Sequence, residues 1–67
     1  MTNQDAKQTF LEGAPVVAGG IEYKEISALI LRKRNGKTYM QVELLDYGLN
    51  SVTITNAESV TRKEKEQ

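Results

Sequence analysis

Four cationic side chains surround one tight turn of this sequence. They are Arg32, Lys33, Arg34 and Lys37. Lysine and arginine neutralise backbone phosphates, and Tyr39, two residues beyond the cluster, offers a ring on which a base can stack. The cluster therefore has the chemistry of a contact with nucleic acid or with an acidic protein. Charged hairpin tips also occur because they keep a turn hydrated and protect strand edges, and Tyr39 beside Arg32 equally suits an exposed cation–π contact.

The rest of the chain offers little for catalysis. It contains no His, Cys or Trp, so it lacks the usual base of a nucleophilic triad and the usual ligands of a structural zinc site. Glu43 and Asp46 are candidates for a carboxylate pair, but nearby Lys and Arg favour solvated surface pairs. Gly19-Gly20 is followed neither by Lys-Ser/Thr nor by a helix, so it does not predict a phosphate loop. We expect a protein that is not an enzyme and uses no metal or cofactor.

Size and charge narrow the class further. The chain has 67 residues, enough for one small domain, and its 9 Lys and Arg balance its 9 Asp and Glu. A formal charge of zero gives no bulk attraction to nucleic acid, so any such contact depends on the local cluster. No apolar run approaches the roughly 18 residues of a membrane helix, and the first residues lack the apolar stretch of a signal peptide. We expect a cytoplasmic protein that does not contact membranes.

Short β-rich runs separated by turn residues dominate the middle of the chain. Asn35-Gly36 tolerates the positive φ angles of a type I′ turn, which predicts a hairpin between two long strands. The predicted strands are Pro15–Ala18, a run from Ile21 that continues through Ile26–Arg34, then Lys37–Asp46, Asn50–Thr55 and Val60–Arg62, with a short helical turn at Asn56–Ser59. The pattern predicts a small, mostly β domain over residues 13–62.

The two ends of the chain differ from this domain. Residues 1–12 are polar until Phe10, and Asn3 or Asp5 could cap a short helix through Leu11. The alternative is a flexible segment whose last apolar residues pack on the domain. Residues 63–67 alternate in charge and predict a solvated tail.

A two-residue turn fixes which side chains share a face. It places Arg34 opposite Lys37, Leu31 opposite Met40, Leu29 opposite Val42, Ser27 opposite Leu44 and Ile26 opposite Leu45. A three-residue loop at Tyr47-Gly48-Leu49 then places Val52 opposite Leu44 and Ile54 opposite Val42. The predicted core face consists of Leu29, Leu31, Met40, Val42 and Leu44, joined by Val52 and Ile54.

The other face of the same strands is mixed. Its apolar members are Ile26, Ile30, Tyr39 and Leu45. One interpretation is that Ile26, Ile30 and Leu45 complete the core of a strongly bent sheet or lie under the N-terminal segment. The other is that all four form an exposed patch that binds a protein partner or a second copy of the chain.

The order of elements from Pro15 to Arg62 resembles that of SH3-like small β-barrel proteins. Asn56–Val60 lies where that fold has its short helical turn before the last strand. The resemblance implies a barrel of about five strands. Small bacterial and phage proteins of this size and fold often act as accessory or inhibitory binding proteins. The resemblance thus implies a small protein-binding module, either a monomer or a homodimer, with nucleic-acid binding through the hairpin tip as the alternative.

Overall fold

The computed structural model describes residues 1–63 and contains one α-helix and six strands within them. The elements are α1 (Asn3–Glu12), β1 (Val16–Ala18), β2 (Ile21–Tyr23), β3 (Glu25–Arg34), β4 (Lys37–Leu45), β5 (Val52–Asn56), a 3-10 helix (Ala57–Ser59) and β6 (Val60–Arg62). The protein is therefore mostly β, as predicted, and the helical turn before the last strand is confirmed. The predicted charged tail lies outside the described residues except for Lys63.

The strands form two antiparallel sheets of three. The first sheet has the order β2-β1-β6 and the second has the order β3-β4-β5. β1 pairs with β2 and with β6 through only three residue pairs each, whereas β3 and β4 pair along nearly their whole length. Within residues 1–63 the two sheets remain separate ladders, so the strands do not close into one continuous barrel.

The long β3–β4 hairpin turns where the sequence predicts. Asn35 has φ 50° and Gly36 has φ 77°, the two left-handed residues that a type I′ turn needs. The predicted pairing is confirmed along the outer two thirds of the hairpin, from Arg34 opposite Lys37 to Leu29 opposite Val42.

At the base of the hairpin a β-bulge changes the register. Ser27 is the extra residue, so Ile26 lies opposite Leu44 and Ala28 lies opposite Glu43. The Ser27 hydroxyl donates to Glu43 Oε1 at 2.8 Å and lies 3.2 Å from the Glu43 carbonyl oxygen. The predicted pairs of Ser27 with Leu44 and of Ile26 with Leu45 are therefore wrong. The bulge turns Ile26 inward, where its side chain is fully buried.

The connection between β4 and β5 is longer than the predicted three-residue loop. The Asp46 amide donates to the Ser51 carbonyl oxygen at 3.2 Å. The Asp46 carboxylate accepts from the Ser51 hydroxyl at 2.7 Å and from the Asn50 amide at 3.2 Å. These bonds extend the closed loop to Ser51.

The longer loop shifts β5 by one residue against β4. Val52 lies opposite Leu45, and Ile54 lies opposite Glu43. A shift of one residue moves every side chain of a strand to the other face of the sheet. The predicted placement of Val52 and Ile54 in the core is therefore wrong.

The core lies between the two sheets, α1 and the 3-10 helix. Its buried apolar residues are Ala6, Val16, Tyr23, Ile26, Met40, Val42, Leu44, Ala57 and Val60. Leu29 packs against this cluster while only half-buried. Leu31, expected in the core, is 70% exposed, although Met40 opposite it on β4 is buried. Leu31 lies on β3, an edge strand of its sheet.

Helix α1 has defined caps at both ends. Thr2 Oγ1 accepts from the Asp5 amide at 3.1 Å, and the Asp5 carboxylate accepts from the Thr2 amide at 3.3 Å. This capping box makes Thr2 the N-cap, rather than Asn3 or Asp5 as the sequence suggested. The bonds from Thr2 lower the pKa of Asp5. Gly13, at φ 68°, ends the helix.

The side of α1 that faces the core is hydrogen-bonded to the last strand, β6. Ala6 and Thr9 are fully buried. Arg62 donates from Nη1 and Nη2 to the two carboxylate oxygens of Glu12 at 3.0 and 2.9 Å, and from Nε to Thr9 Oγ1 at 2.9 Å. The Glu12 carboxylate raises the pKa of Arg62. The helix is thus an integral layer over the core.

Candidate protein interface

The second sheet has one face on the core and one that turns away from it, which we call the outer face. On β4 the outer face carries Lys37, Tyr39, Gln41, Glu43 and Leu45, and on β5 it carries Val52, Ile54 and Asn56. On β3 it carries, beyond the bulge, Ala28, Ile30, Arg32 and Arg34. Because neighbouring strands pair in register, these side chains form one surface across three strands.

Apolar side chains from all three strands contribute to the outer face. Val52 is 50% exposed, Ile54 is 48% exposed and Tyr39 is 36% exposed. Ile30 and Leu45 are half-buried between their neighbours, and Leu45 lies directly opposite Val52. Apolar side chains that share a face and keep this much solvent contact are typical of protein interaction sites.

Three of the four residues that the sequence proposed for this patch share the outer face: Ile30, Tyr39 and Leu45. The fourth, Ile26, lies in the core because of the bulge. Sequence reasoning missed Val52 and Ile54, since the assumed loop length placed them inside. One local signal was present: Asp46 followed by Asn50-Ser51 suits a longer loop closed by side-chain bonds to the backbone.

Polar side chains form an ordered row across the middle of the outer face. Arg32 Nε donates to Gln41 Oε1 at 2.5 Å, and Gln41 Nε2 donates to Asn56 Oδ1 at 3.2 Å. Glu43 is held by the Ser27 hydroxyl. These bonds restrict the side chains within the face, and groups already held in place cost less to order in a contact.

Charge is separated along the outer face. The Glu43 carboxylate lies toward the base of the hairpin, and Arg32, Arg34 and Lys37 lie toward its tip. Glu25, at the start of β3, pairs with Lys24 at 3.2 Å and lies beside Gly13 at the end of α1. The outer face is therefore basic toward the tip and carries the Glu43 carboxylate toward the base.

The hairpin tip, defined as Arg32, Lys33, Arg34 and Lys37, is exposed at all four side chains. The ion pairs found in the described part of the chain involve Lys24, Arg62 and Lys63 instead. Strand alternation places Lys33 on the side opposite the other three cations. The structure therefore divides the predicted cluster between two faces of the hairpin.

An open groove of about 670 Å³ adjoins the tip. Its walls include Asn3 at the start of α1, Glu58 of the 3-10 helix and the stretch of β4 around Thr38 and Met40. In the described chain β5 ends opposite Gln41, so that stretch of β4 has no strand beside it on this side. The groove is mostly polar, and Tyr39 of the outer face is part of its lining.

A separate polar cluster joins the first sheet to the β4–β5 loop. The Tyr47 hydroxyl donates to Glu22 Oε2, and Lys63 Nζ lies 2.8 Å from Glu22 Oε1. Lys63 and then Tyr47 lower the pKa of Glu22, and Glu22 raises the pKa of Tyr47. All three side chains reach solvent, so these are surface contacts that connect β2 to the β4–β5 loop and to the residue after β6.

Within residues 1–63, no group of three or more His, Cys, Asp or Glu side chains is arranged to hold a metal ion. The helices in this part of the chain are too short or too polar to span a membrane.

Comparison with known proteins finds no family model, no curated protein sequence and no solved structure that matches this chain.

Proposed function

We propose that this chain is a small, non-enzymatic protein-binding module that contacts its partner with the outer face of the second sheet. The observation that carries the proposal is the set of solvent-exposed apolar side chains there, with Val52 and Ile54 each about half exposed. Burying these side chains against a partner is favourable, because each Å² of apolar surface removed from water contributes about 25 cal/mol to the free energy of binding.

The surroundings of the apolar set also suit an interface. Protein interfaces combine an apolar centre with a polar rim, and they are enriched in Tyr and Arg. Here Tyr39 adjoins Arg32 at one end of the face, and Glu43 lies beside Ile54. The ordered row through Gln41 supplies polar groups already in position.

The order of the strands and the 3-10 helix before β6 support an SH3-like small barrel as the parent architecture, with the two sheets as its halves. On that basis we propose a cytoplasmic accessory protein of the kind that bacterial and phage genomes encode. The resemblance is one of architecture, so it supports the binding role and names no partner.

The test compares two matched substitutions. Ile54→Glu places a charge on the outer face, and Ile21→Glu makes the same change at a 58% exposed position on the first sheet. Both variants should keep their thermal midpoint. Proteins captured by the tagged chain from nuclease-treated host lysate should be lost with Ile54→Glu and kept with Ile21→Glu. Equal capture by both variants would contradict the proposal.

The exposed hairpin tip favours a second candidate function, nucleic-acid binding. Its four cations have no ion pair in the described part of the chain, and Tyr39 lies beside Arg32 for base stacking. Fluorescence anisotropy with a labelled single-stranded oligonucleotide should then show binding that weakens steeply with salt. Arg34→Glu, on the same face as Tyr39, should weaken it more than Lys33→Glu, on the opposite face. An absence of binding at low salt would exclude this candidate.

A further inference from the structure

Among the edge strands of the two sheets in residues 1–63, β5 is the one whose edge lacks protection. Proteins protect strand edges from pairing with other chains by short length, charged side chains, Pro or bulges. β2 and β6 are three residues long, and β3 carries the bulge at Ser27 and the cations of the hairpin tip. β5 has five residues, Val-Thr-Ile-Thr-Asn, with no charge, no Pro and no bulge. Its free edge is therefore suited to pair with another strand.

Alternate residues of β5 direct their backbone groups toward this free edge. The Asp46 amide donates to the Ser51 carbonyl oxygen, which places the odd-numbered residues of β5 on the side of β4. Because residues alternate along an antiparallel ladder, the N–H and C=O groups of Val52 and Ile54 point away from β4. Within residues 1–63 no strand lies on that side of β5. Backbone groups in this position can hydrogen-bond to an added strand.

We propose that a second copy of this chain pairs with the free edge, β5 against β5 in antiparallel direction, with a two-fold axis at Ile54. The inference rests on the proposed function, because the pairing extends the outer face into a larger contact surface. The dimer is isologous, so Ile54 lies opposite Ile54 of the second copy. Thr53 then lies opposite Thr55 of the second copy. Val52 lies opposite Asn56 of the second copy, and both of these contacts occur twice.

The side chains across this pairing are self-complementary. Aliphatic β-branched pairs and Thr–Thr pairs are favourable across antiparallel strands. Because β5 carries no charge, no like charges oppose each other along it, and a chain with zero net charge has no overall repulsion between copies. A register with Thr53 on the axis would instead place Asn56 opposite Asn50 of the second copy. The Asn50 amide is already bonded to the Asp46 carboxylate, so the axis at Ile54 is favoured.

The pairing also gives the outer face the size of a specific interface. The two-fold axis is perpendicular to the sheet, so both outer faces lie on the same side of one continuous sheet. With strands about 4.8 Å apart and a rise of about 3.3 Å per residue, one outer face covers roughly 400 Å² and the joined face roughly 800 Å². Specific interfaces bury about 800 Å² on each partner. Val52 and Ile54 of both copies then lie at the centre of the joined face, where interfaces concentrate their binding energy.

Disulfide formation tests this register, because the chain contains no Cys and each introduced thiol is unique. Thr53→Cys and Thr55→Cys change the face opposite Ile54, so the outer face is left intact. The Cα atoms of Thr53 and Thr55 of the second copy should lie about 4.5 Å apart, as in other non-hydrogen-bonded pairs. The two copies of Thr53 are diagonal neighbours at roughly 7–8 Å, which is too far for a disulfide.

The experiment mixes equal amounts of the two variants, one of them with a size tag, under mild oxidation. The protein concentration is about 0.5 mM, because small interfaces are weak. The mixed disulfide should form at least about tenfold faster than either variant forms a disulfide with itself. Ile21→Cys, an exposed thiol on the first sheet, measures random collision when it is mixed with Thr55→Cys. Circular dichroism melts of each variant confirm that the fold is intact.

The possible outcomes separate the two proposals. A mixture of Thr53→Cys and Thr55→Cys that crosslinks no faster than the Ile21→Cys control overturns the dimer. Faster crosslinking of Thr53→Cys with itself also overturns it, because that result indicates a different register. If crosslinking fails while Ile54→Glu still loses partners that Ile21→Glu retains, the proposed function stands without the dimer. Crosslinking together with equal capture by these two variants supports the dimer and contradicts the proposed function.

Discussion

Ile26 and Leu31 are aliphatic residues of the same strand that differ completely in environment. Ile26 is fully buried among the core residues, and Leu31 is 70% exposed near the hairpin tip. The bulge at Ser27 accounts for the burial of Ile26. Leu31 is exposed on the edge strand β3, while Met40 opposite it on the central strand β4 is buried. The stability of the protein should therefore respond to these two positions very differently.

Ile26→Ala should destabilise the fold by about 2–4 kcal/mol, because it removes buried methyl groups and leaves a cavity. Leu31→Ala, the matched control, should change the free energy of unfolding by less than about 0.5 kcal/mol, as for other exposed positions. Urea unfolding followed by circular dichroism measures both. Equal losses at the two positions would contradict the register described for the base of the hairpin.

Gly36 is a residue whose backbone conformation favours glycine. Its φ of 77° is one that side chains rarely adopt, and a Cβ there would contact nothing within 4 Å. Gly36→Ala should therefore cost about 1 kcal/mol from backbone strain alone. Gly36→Asn should cost less, because asparagine tolerates the left-handed region. Urea midpoints would detect the difference, and equal stability of all three proteins would argue against a type I′ turn.

Among the elements, the β4–β5 loop determines which side chains reach the outer face. Its closure depends on the Asp46 carboxylate, which accepts from the Ser51 hydroxyl and the Asn50 amide. These bonds hold β5 in the register that exposes Val52 and Ile54. The loop is therefore linked to the candidate interface through strand register.

Ionisation of Asp46 should contribute to stability in a defined pH range. The bond from Ser51 is the largest cause of its lowered pKa, below the ordinary value of 3.8. A carboxyl with a lower pKa in the folded state stabilises the fold fully above its ordinary pKa. That contribution is lost as the pH falls from 3.8 through the folded value.

Asp46→Asn should therefore lower stability at neutral pH and flatten the acid limb of the stability curve. Some loss of stability in acid should remain in this variant, because Asp5 and Glu22 also have lowered pKa values. A carboxyl carbon NMR titration of the wild-type protein gives the midpoint of Asp46 directly. A midpoint at or above 3.8 would contradict the bonded loop.

Elements with a local chemical cause could be predicted from the sequence, and those that depend on distant contacts could not. Asn35-Gly36 has few alternatives to a type I′ turn, so the tip and the nearby pairs were predictable. The bulge at Ser27 is stabilised by Glu43 on another strand, and alternation in β3 alone gives no sign of it. The same limit explains the candidate site: Ile30, Tyr39 and Leu45 follow the alternation, while Ile26, Val52 and Ile54 each depend on a shift of one residue.

The molecule as a whole combines a small core with a projecting hairpin. Its longest dimension is 42 Å against 26 and 21 Å for the others. The buried residues lie toward the base of the hairpin, and every residue from Leu31 to Tyr39 is exposed. Stability should therefore be unequal along β3 and β4.

Hydrogen exchange should show this gradient. Amides near the turn should exchange by local opening. Amides around Ile26, Val42 and Leu44 should exchange only on global unfolding. NMR-detected exchange at several denaturant concentrations separates the two classes. Uniform protection along the whole hairpin would contradict a projecting tip.

The central claim is that the outer face is where this protein contacts another protein molecule, and site-specific photo-crosslinking in the native cell tests it most directly. A photoreactive amino acid at position 54 should give crosslinked adducts, either to a second copy or to another protein. The same residue at position 21, similarly exposed on the first sheet, should give none. Adducts from position 21 together with none from position 54 would contradict the claim.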